Sequence, residues 1–124
     1  MKPLRILVID DERVICDACH LVLTEAGHRV EERTSGKAGL NAIRQGLYDV
    51  ILLDMKLPDT DGMEILKIVR EEKANLCVIV MTGYSTISNA VEAMKLGATD
   101  YLAKPFTDEE LISALKKTIK GQLT

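Results

Sequence analysis

Val50-Ile51-Leu52-Leu53-Asp54 is followed by Met55-Lys56-Leu57-Pro58-Asp59-Thr60-Asp61-Gly62. Four aliphatic residues without polar alternation, closed by Pro, Asp and Gly, read as a strand covered on both faces, which is the pattern of a parallel sheet. Asp54 then stands at the carboxyl end of that strand. In open α/β sheets this edge is where ligands bind and chemistry takes place.

The same pattern recurs on either side. Ile6-Leu7-Val8-Ile9 runs into the acids Asp10-Asp11-Glu12, and Cys77-Val78-Ile79-Val80-Met81 ends on Thr82. Val30 to about Arg33 is short and polar and fits an edge strand, and Thr99 to Ala103 gives a fifth strand ending at Lys104-Pro105. Helical spacing fills the intervals. The first helix runs from about Glu12 to Ala26 with Gly27 as its left-handed stop, and the second opens on Ser35 as N-cap and runs to Gly46. Asp61 with Glu64, and Thr107 with Glu110, have capping-box spacing for the third and fifth helices. Ile87, Ala90, Val91 and Met94 form an i, i+3, i+4, i+7 stripe on the fourth, which Gly97 ends. Five strands alternating with five helices predict an α/β doubly wound parallel sheet built from right-handed crossovers.

The 124 residues, 47% of them hydrophobic, suit one domain spanning 1–124, with about 120–124 as the start of a linker. Sixteen Lys and Arg against 19 Asp and Glu give a net charge of -3, which argues against direct nucleic acid binding. The apolar runs are too short for a membrane span, and Met1-Lys2-Pro3-Leu4-Arg5 lacks the apolar region of a signal peptide, so a cytoplasmic protein is expected. Three cysteines fit a reducing compartment. Cys16-Asp17-Ala18-Cys19 matches a redox spacing but lies inside the first helix with Cys19 on its apolar stripe, which favours core packing. His20 and His28 have no partners at metal-ligand spacing and read as surface residues.

At the carboxyl edge the sheet presents Asp10 and Asp11, then Asp54, Thr82 and Lys104. Carboxylates brought together repel, by roughly 4 kcal/mol for two charges about 4 Å apart at an effective dielectric near 20, and must protonate or bind a cation. Hard oxygen ligands with room for water suit Mg²⁺. A carboxylate beside such a cation can attack phosphorus, with a Lys and a hydroxyl to take up the remaining charge.

Val8-Ile9-Asp10-Asp11-Glu12, Asp49 through Pro58 with Asp61-Gly62, Met81-Thr82-Gly83, and Gly97-Ala98 through Asp100-Tyr101 to Lys104-Pro105-Phe106 together resemble the receiver domain of two-component response regulators. The likeness runs from Leu4 to about Lys120. It implies a flavodoxin-like (βα)5 fold with strand order 2-1-3-4-5, and Asp54 phosphorylated from the phosphohistidine of a sensor histidine kinase. It implies Mg²⁺ held by Asp11, Asp54 and the backbone carbonyl of Lys56, with Asp10 acting largely through water. Lys104 would pair with the phosphoryl group, Thr82 would be the switch hydroxyl, and Tyr101 the switch aromatic that turns inward. The bond between Lys104 and Pro105 would be cis, aiming Lys104 into the site. Lys56 and Tyr84 occupy the positions that tune the lifetime of the phosphorylated state.

The same resemblance places the readout on helix four, strand five and helix five, a face through which two copies could pair. Gly83 through Ile87 and Ala90 through Ala98 look like receivers of NtrC-type enhancer-binding activators, whose output is a AAA+ ATPase with a DNA-binding domain. No Walker motif or helix-turn-helix follows in these 124 residues. A stand-alone phosphotransfer or protein-interaction receiver is the alternative. A phosphohydrolase of the haloacid dehalogenase type would need an acid where Lys56 stands.

Overall fold

The computed structural model describes residues 2–83 and 87–122. The elements alternate as β1 (Arg5–Ile9), α1 (Arg13–Glu25), β2 (Arg29–Arg33), α2 (Gly36–Gln45), β3 (Val50–Asp54), α3 (Gly62–Glu72), β4 (Cys77–Thr82), α4 (Ile87–Lys95), β5 (Asp100–Ala103) and α5 (Asp108–Gln122). All strand pairs are parallel, in the order β2-β1-β3-β4-β5. The register sets Val8 beside Leu52 and Leu52 beside Ile79, so the three apolar runs lie side by side at the centre.

The missing alternation in those runs has its cause in two cores. Successive side chains point to opposite faces of a strand. Ile6, Val8, Leu52, Ile79 and Met81 pack on one face with Cys16, Cys19 and Leu23 of α1 and Leu111 and Leu115 of α5. Leu7, Ile9, Ile51, Leu53, Val78 and Val80 pack on the other with Ile43 of α2, Ile65, Leu66 and Val69 of α3 and Ala93 of α4. Each large side chain so covered contributes about 1.5–3 kcal/mol of burial free energy. β2 lies at the sheet edge and is only partly covered, as its polar sequence predicts.

Local signals carry over with few changes. Ser35 caps α2 by accepting the Ala38 amide at 3.1 Å. Thr107 and Glu110 bond reciprocally, Thr107 N to Glu110 Oε1 at 3.0 Å and Glu110 N to Thr107 Oγ1 at 3.1 Å, a closed capping box. The Asp61 box is half formed, since Asp61 accepts the Met63 amide while Glu64 turns to Lys67. Gly27 and Gly97 adopt φ of 97° and 103°, the left-handed stops expected after α1 and α4. β5 begins at Asp100, one residue later than predicted; before it, the Thr99 amide donates to the Val78 carbonyl at 2.8 Å and the Thr99 hydroxyl accepts the Val78 amide at 3.1 Å.

One sequence expectation is corrected. His28 is buried, with Nδ1 accepting the Leu4 amide at 3.1 Å, because the turn at Gly27 carries it under the start of β1. His20 is exposed as expected and pairs with Glu32 at 2.8 Å. On α4 the sequence stripe leaves open whether the face is buried or free to repack. Ala93 is fully buried, whereas Val91 and Met94 remain 45% and 44% exposed. Helical periodicity marks an apolar face without saying what covers it.

Cys16, Cys19 and Cys77 are all buried and free. Burial pushes the Cys16 and Cys19 thiols up to about 11 and about 12, which keeps them protonated and favours the packing reading. Among the described residues no helix is long and apolar enough to cross a membrane.

Candidate functional site

The carboxyl edge gathers groups from four of the five strands. Asp10 follows β1, Asp54 is the last residue of β3, Thr82 is the last of β4, and Lys104 follows β5. Asp10, Asp54 and Thr82 are polar yet almost fully buried. A buried carboxylate must find partners or change its protonation.

Lys104 supplies the partner for both acids. Its Nζ lies 2.7 Å from Asp10 Oδ2, 3.0 Å from Glu12 Oε1 and 3.4 Å from Asp54 Oδ1. The backbone holds this arrangement in place. The Lys104 amide donates to the Thr82 carbonyl at 2.8 Å, the Glu12 amide donates to Asp10 Oδ1 at 2.9 Å, and the Lys56 amide approaches Asp54 Oδ1 at 3.4 Å. The Lys104-Pro105 peptide is cis. Gly62 is needed behind the site, since a Cβ there would lie 2.5 Å from the Asp54 carbonyl oxygen and 2.7 Å from Met55 Cα, and backbone cannot yield.

The electrostatics follow from this geometry. Burial, and then the charge of Asp10, push the Asp54 carboxyl up to about 6, with Lys104 and the Lys56 amide pulling the other way. For Lys104 burial favours the neutral amine, but hydrogen bonds to Asp10 and Glu12 and the charges of Asp10 and Asp54 more than reverse it, so the ammonium is held charged. Carboxyl-carbon NMR should therefore show Asp54 titrating near pH 6 without divalent cations. Mg²⁺ should lower the pH of that midpoint at least about tenfold in proton concentration, because a cation favours the ionised form.

One oxygen from each of Asp10, Glu12 and Asp54 lies within 4.8 Å of the other two. An all-oxygen, anionic donor set fits a hard divalent cation such as Mg²⁺, which takes one or two carboxylates and keeps several waters. Asp11, Lys56, Thr82 and Asn89 join Glu12, Asp54 and Lys104 around an open cavity of about 320 Å³. Asp11 is exposed and lies outside the converging three. The sequence singles out neither Glu12 nor Asn89. Glu12 belongs to the acidic run after β1, but only the turn into α1 brings its carboxylate back to Lys104. Asn89 carries no local signal.

Tyr101 does not line this cavity. It is 45% exposed and borders a separate groove of about 440 Å³ with Ala90, Val91, Met94 and Lys95. Tyr84 lies outside the described residues.

A response regulator receiver domain model matches residues 6–116, nearly the whole sequence. The chain belongs to the response regulator receiver domain family. This is a regulatory domain family of two-component signal transduction. Among curated relatives, the transcriptional regulatory protein DltR of Streptococcus agalactiae is 38% identical over 113 residues, covering 91% of this chain and 50% of DltR. The transcriptional regulatory protein ZraR of Escherichia coli is 35% identical over 114 residues, covering 92% of this chain and 26% of ZraR. This receiver domain thus spans half or less of the length of those two regulators. The crystal structure of a CheY-like receiver domain protein from Methanospirillum hungatei superimposes with a TM-score of 0.92 at 30% identity, covering 98% of this chain and 97% of that one. The relatives are varied transcriptional regulators, and the flavodoxin-like fold with order 2-1-3-4-5 is shared.

Proposed function

We propose that this receiver domain accepts a phosphoryl group on Asp54 from the phosphohistidine of a sensor histidine kinase, in a Mg²⁺-dependent reaction. The observation that carries the reading is the buried Asp54 carboxylate facing Asp10, Glu12 and the Lys104 ammonium at one sheet edge. An Asp54 oxygen attacks phosphorus, the P–N bond to the imidazole breaks, and an acyl phosphate remains on the carboxylate. Asp10 and Asp54, with the Lys56 carbonyl and with Asp11 at the cavity mouth, would hold Mg²⁺, and Glu12 is a further oxygen donor within reach. When bound, the ion neutralises phosphoryl oxygens. Lys104 pairs with the added charge, and the buried Thr82 hydroxyl is the donor on β4 that turns towards it.

The site reports its state through the face formed by α4, β5 and α5. Val91, Met94 and Tyr101 already stand exposed there around one groove, which suits a surface that changes partners. Phosphorylation biases an equilibrium between two arrangements of that face. Tyr101 turning inward would bury its ring and alter contacts with an output domain or with a second copy in a homodimer. The output is transcription activation; DltR and ZraR, both transcriptional regulatory proteins, support the broader part of that reading, control of transcription. The NtrC-type assignment, with a AAA+ ATPase and a DNA-binding domain, rests on the α4 sequence and on the share of ZraR left beyond the matched stretch. The protein acts in the cytoplasm.

The reading is tested at the lifetime-tuning positions. Once the domain is phosphorylated by a small acyl phosphate, substitutions of Lys56 or Tyr84 should change the rate of phosphoryl loss severalfold while leaving Mg²⁺ affinity within about twofold. Unchanged loss rates in both variants would contradict those roles.

A further inference from the structure

The loop between β3 and α3 carries Lys56, and it is fastened at its base and at its tip. At its base the Gly62 amide donates to the Met55 carbonyl at 2.9 Å. This bond belongs to an antiparallel bridge between Lys56 and Asp61. At its tip Asp59 reaches across to α2, where Oδ1 accepts the Gly36 amide at 2.8 Å and Oδ2 accepts the Lys37 amide at 2.9 Å. The first helical amides of α2 have no partner within the helix, and the dipole there favours an anion. Ser35 takes the third amide, so two of the first three are satisfied only by a residue more than twenty positions away. These amide bonds hold the Asp59 carboxyl below its usual range. Gly36 keeps the two segments in close approach, since a Cβ there would collide with Thr60 Cγ2 and come within 2.8 Å of Ile65 Cδ1.

We propose that Asp59 is a positioning residue for the phosphorylation site: by pinning the loop tip to α2 it fixes the Lys56 backbone for the divalent cation. The inference rests on the Mg²⁺-dependent reading above. A backbone ligand on a short loop binds a cation well only when the loop is already in place, and partners that orient metal ligands commonly matter about 10-fold to 100-fold in affinity. The linkage is reciprocal, so the ion should also tighten the hold of Asp59 on α2.

Calorimetric Mg²⁺ titration of the full chain tests this with Asp59→Ala and Asp59→Asn. Alanine removes both acceptors and should weaken Mg²⁺ binding about tenfold. Asparagine keeps one acceptor and should fall between alanine and the parent. The rate of Asp54 phosphorylation at saturating Mg²⁺ should stay within about twofold of the parent, so the loss appears in the Mg²⁺ concentration needed and not in the maximal rate. Mg²⁺ should slow hydrogen exchange of the Gly36 and Lys37 amides in the parent but not in Asp59→Ala. Parent-like Mg²⁺ affinity in both variants, with or without a lowered melting temperature, would overturn the positioning role and leave the phosphorylation reading intact. Failure of the parent itself to bind Mg²⁺ would overturn both.

Discussion

Lys104→Met should destabilise the folded domain by about 3–5 kcal/mol in EDTA at pH 8, the usual consequence of removing one partner from a buried charge cluster. Lys104 is the cation within 3.4 Å of Asp10, Glu12 and Asp54, and the Asp10 and Asp54 side chains are 0% and 6% exposed. Methionine fills the same stem volume, so the loss reports charge and not a cavity. Mg²⁺ supplies a replacement cation for the same oxygens, and a ligand that binds only the folded state stabilises it by mass action. Urea unfolding with and without Mg²⁺ should therefore show the variant recovering more stability from the ion than the parent does. Equal stabilisation of the two proteins would mean that Lys104 and the ion do not share a site.

Asp54→Asn should act in opposite directions on stability and function. The folded-state carboxyl titrates near 6, against 3.8 ordinarily. A raised carboxyl pKa means that the folded state holds the proton more tightly than the unfolded chain. The neutral form's advantage is fully present below about 3.8 and is lost as pH rises through about 6. Above pH 6 the ionised Asp54 is thus a net cost to folding, and asparagine relieves it. In EDTA at pH 8 the variant should be roughly 3 kcal/mol more stable than the parent, since the shift from 3.8 to about 6 spans a little over two pH units and each corresponds to about 1.4 kcal/mol. Below about pH 4 the difference should vanish. The same substitution removes the nucleophile, and phosphoryl acceptance should fall at least about 10³-fold. A variant that loses stability at pH 8 would show that the Asp54 charge is not under repulsion. The expected pairing of greater stability with lost acceptance is characteristic of a residue kept for chemistry at the expense of the fold.

Much of this site is legible in the sequence because a parallel sheet writes its layout in one-dimensional form. Apolar runs without alternation mark central strands, and the polar residue closing each run falls on the edge where ligands bind. Asp10, Asp54, Thr82 and Lys104 are found in this way. What depends on a turn is less visible. Asp11 and Glu12 are adjacent acids, and only the entry into α1 decides that Glu12 returns to Lys104 while Asp11 faces solvent. Asp59 reads as an ordinary turn residue, because its amide partners on α2 come from a different part of the chain. Val91 and Met94 have helical spacing yet stand half-exposed, while Ala93 beside them is buried. His28 has no pattern at all to announce burial. In each case the missing information is a long-range contact.

The central claim is that Asp54 is a Mg²⁺-dependent phosphoryl acceptor. Mass spectrometry of the intact chain after incubation with a small acyl phosphate, with and without Mg²⁺, tests it most directly when peptide mapping locates the modified residue. The prediction is a single added phosphoryl group on the parent chain in Mg²⁺, placed on Asp54, with none in EDTA and none on Asp54→Asn. Labelling that ignores Mg²⁺, a group placed on any other residue, or full labelling of Asp54→Asn would contradict the claim.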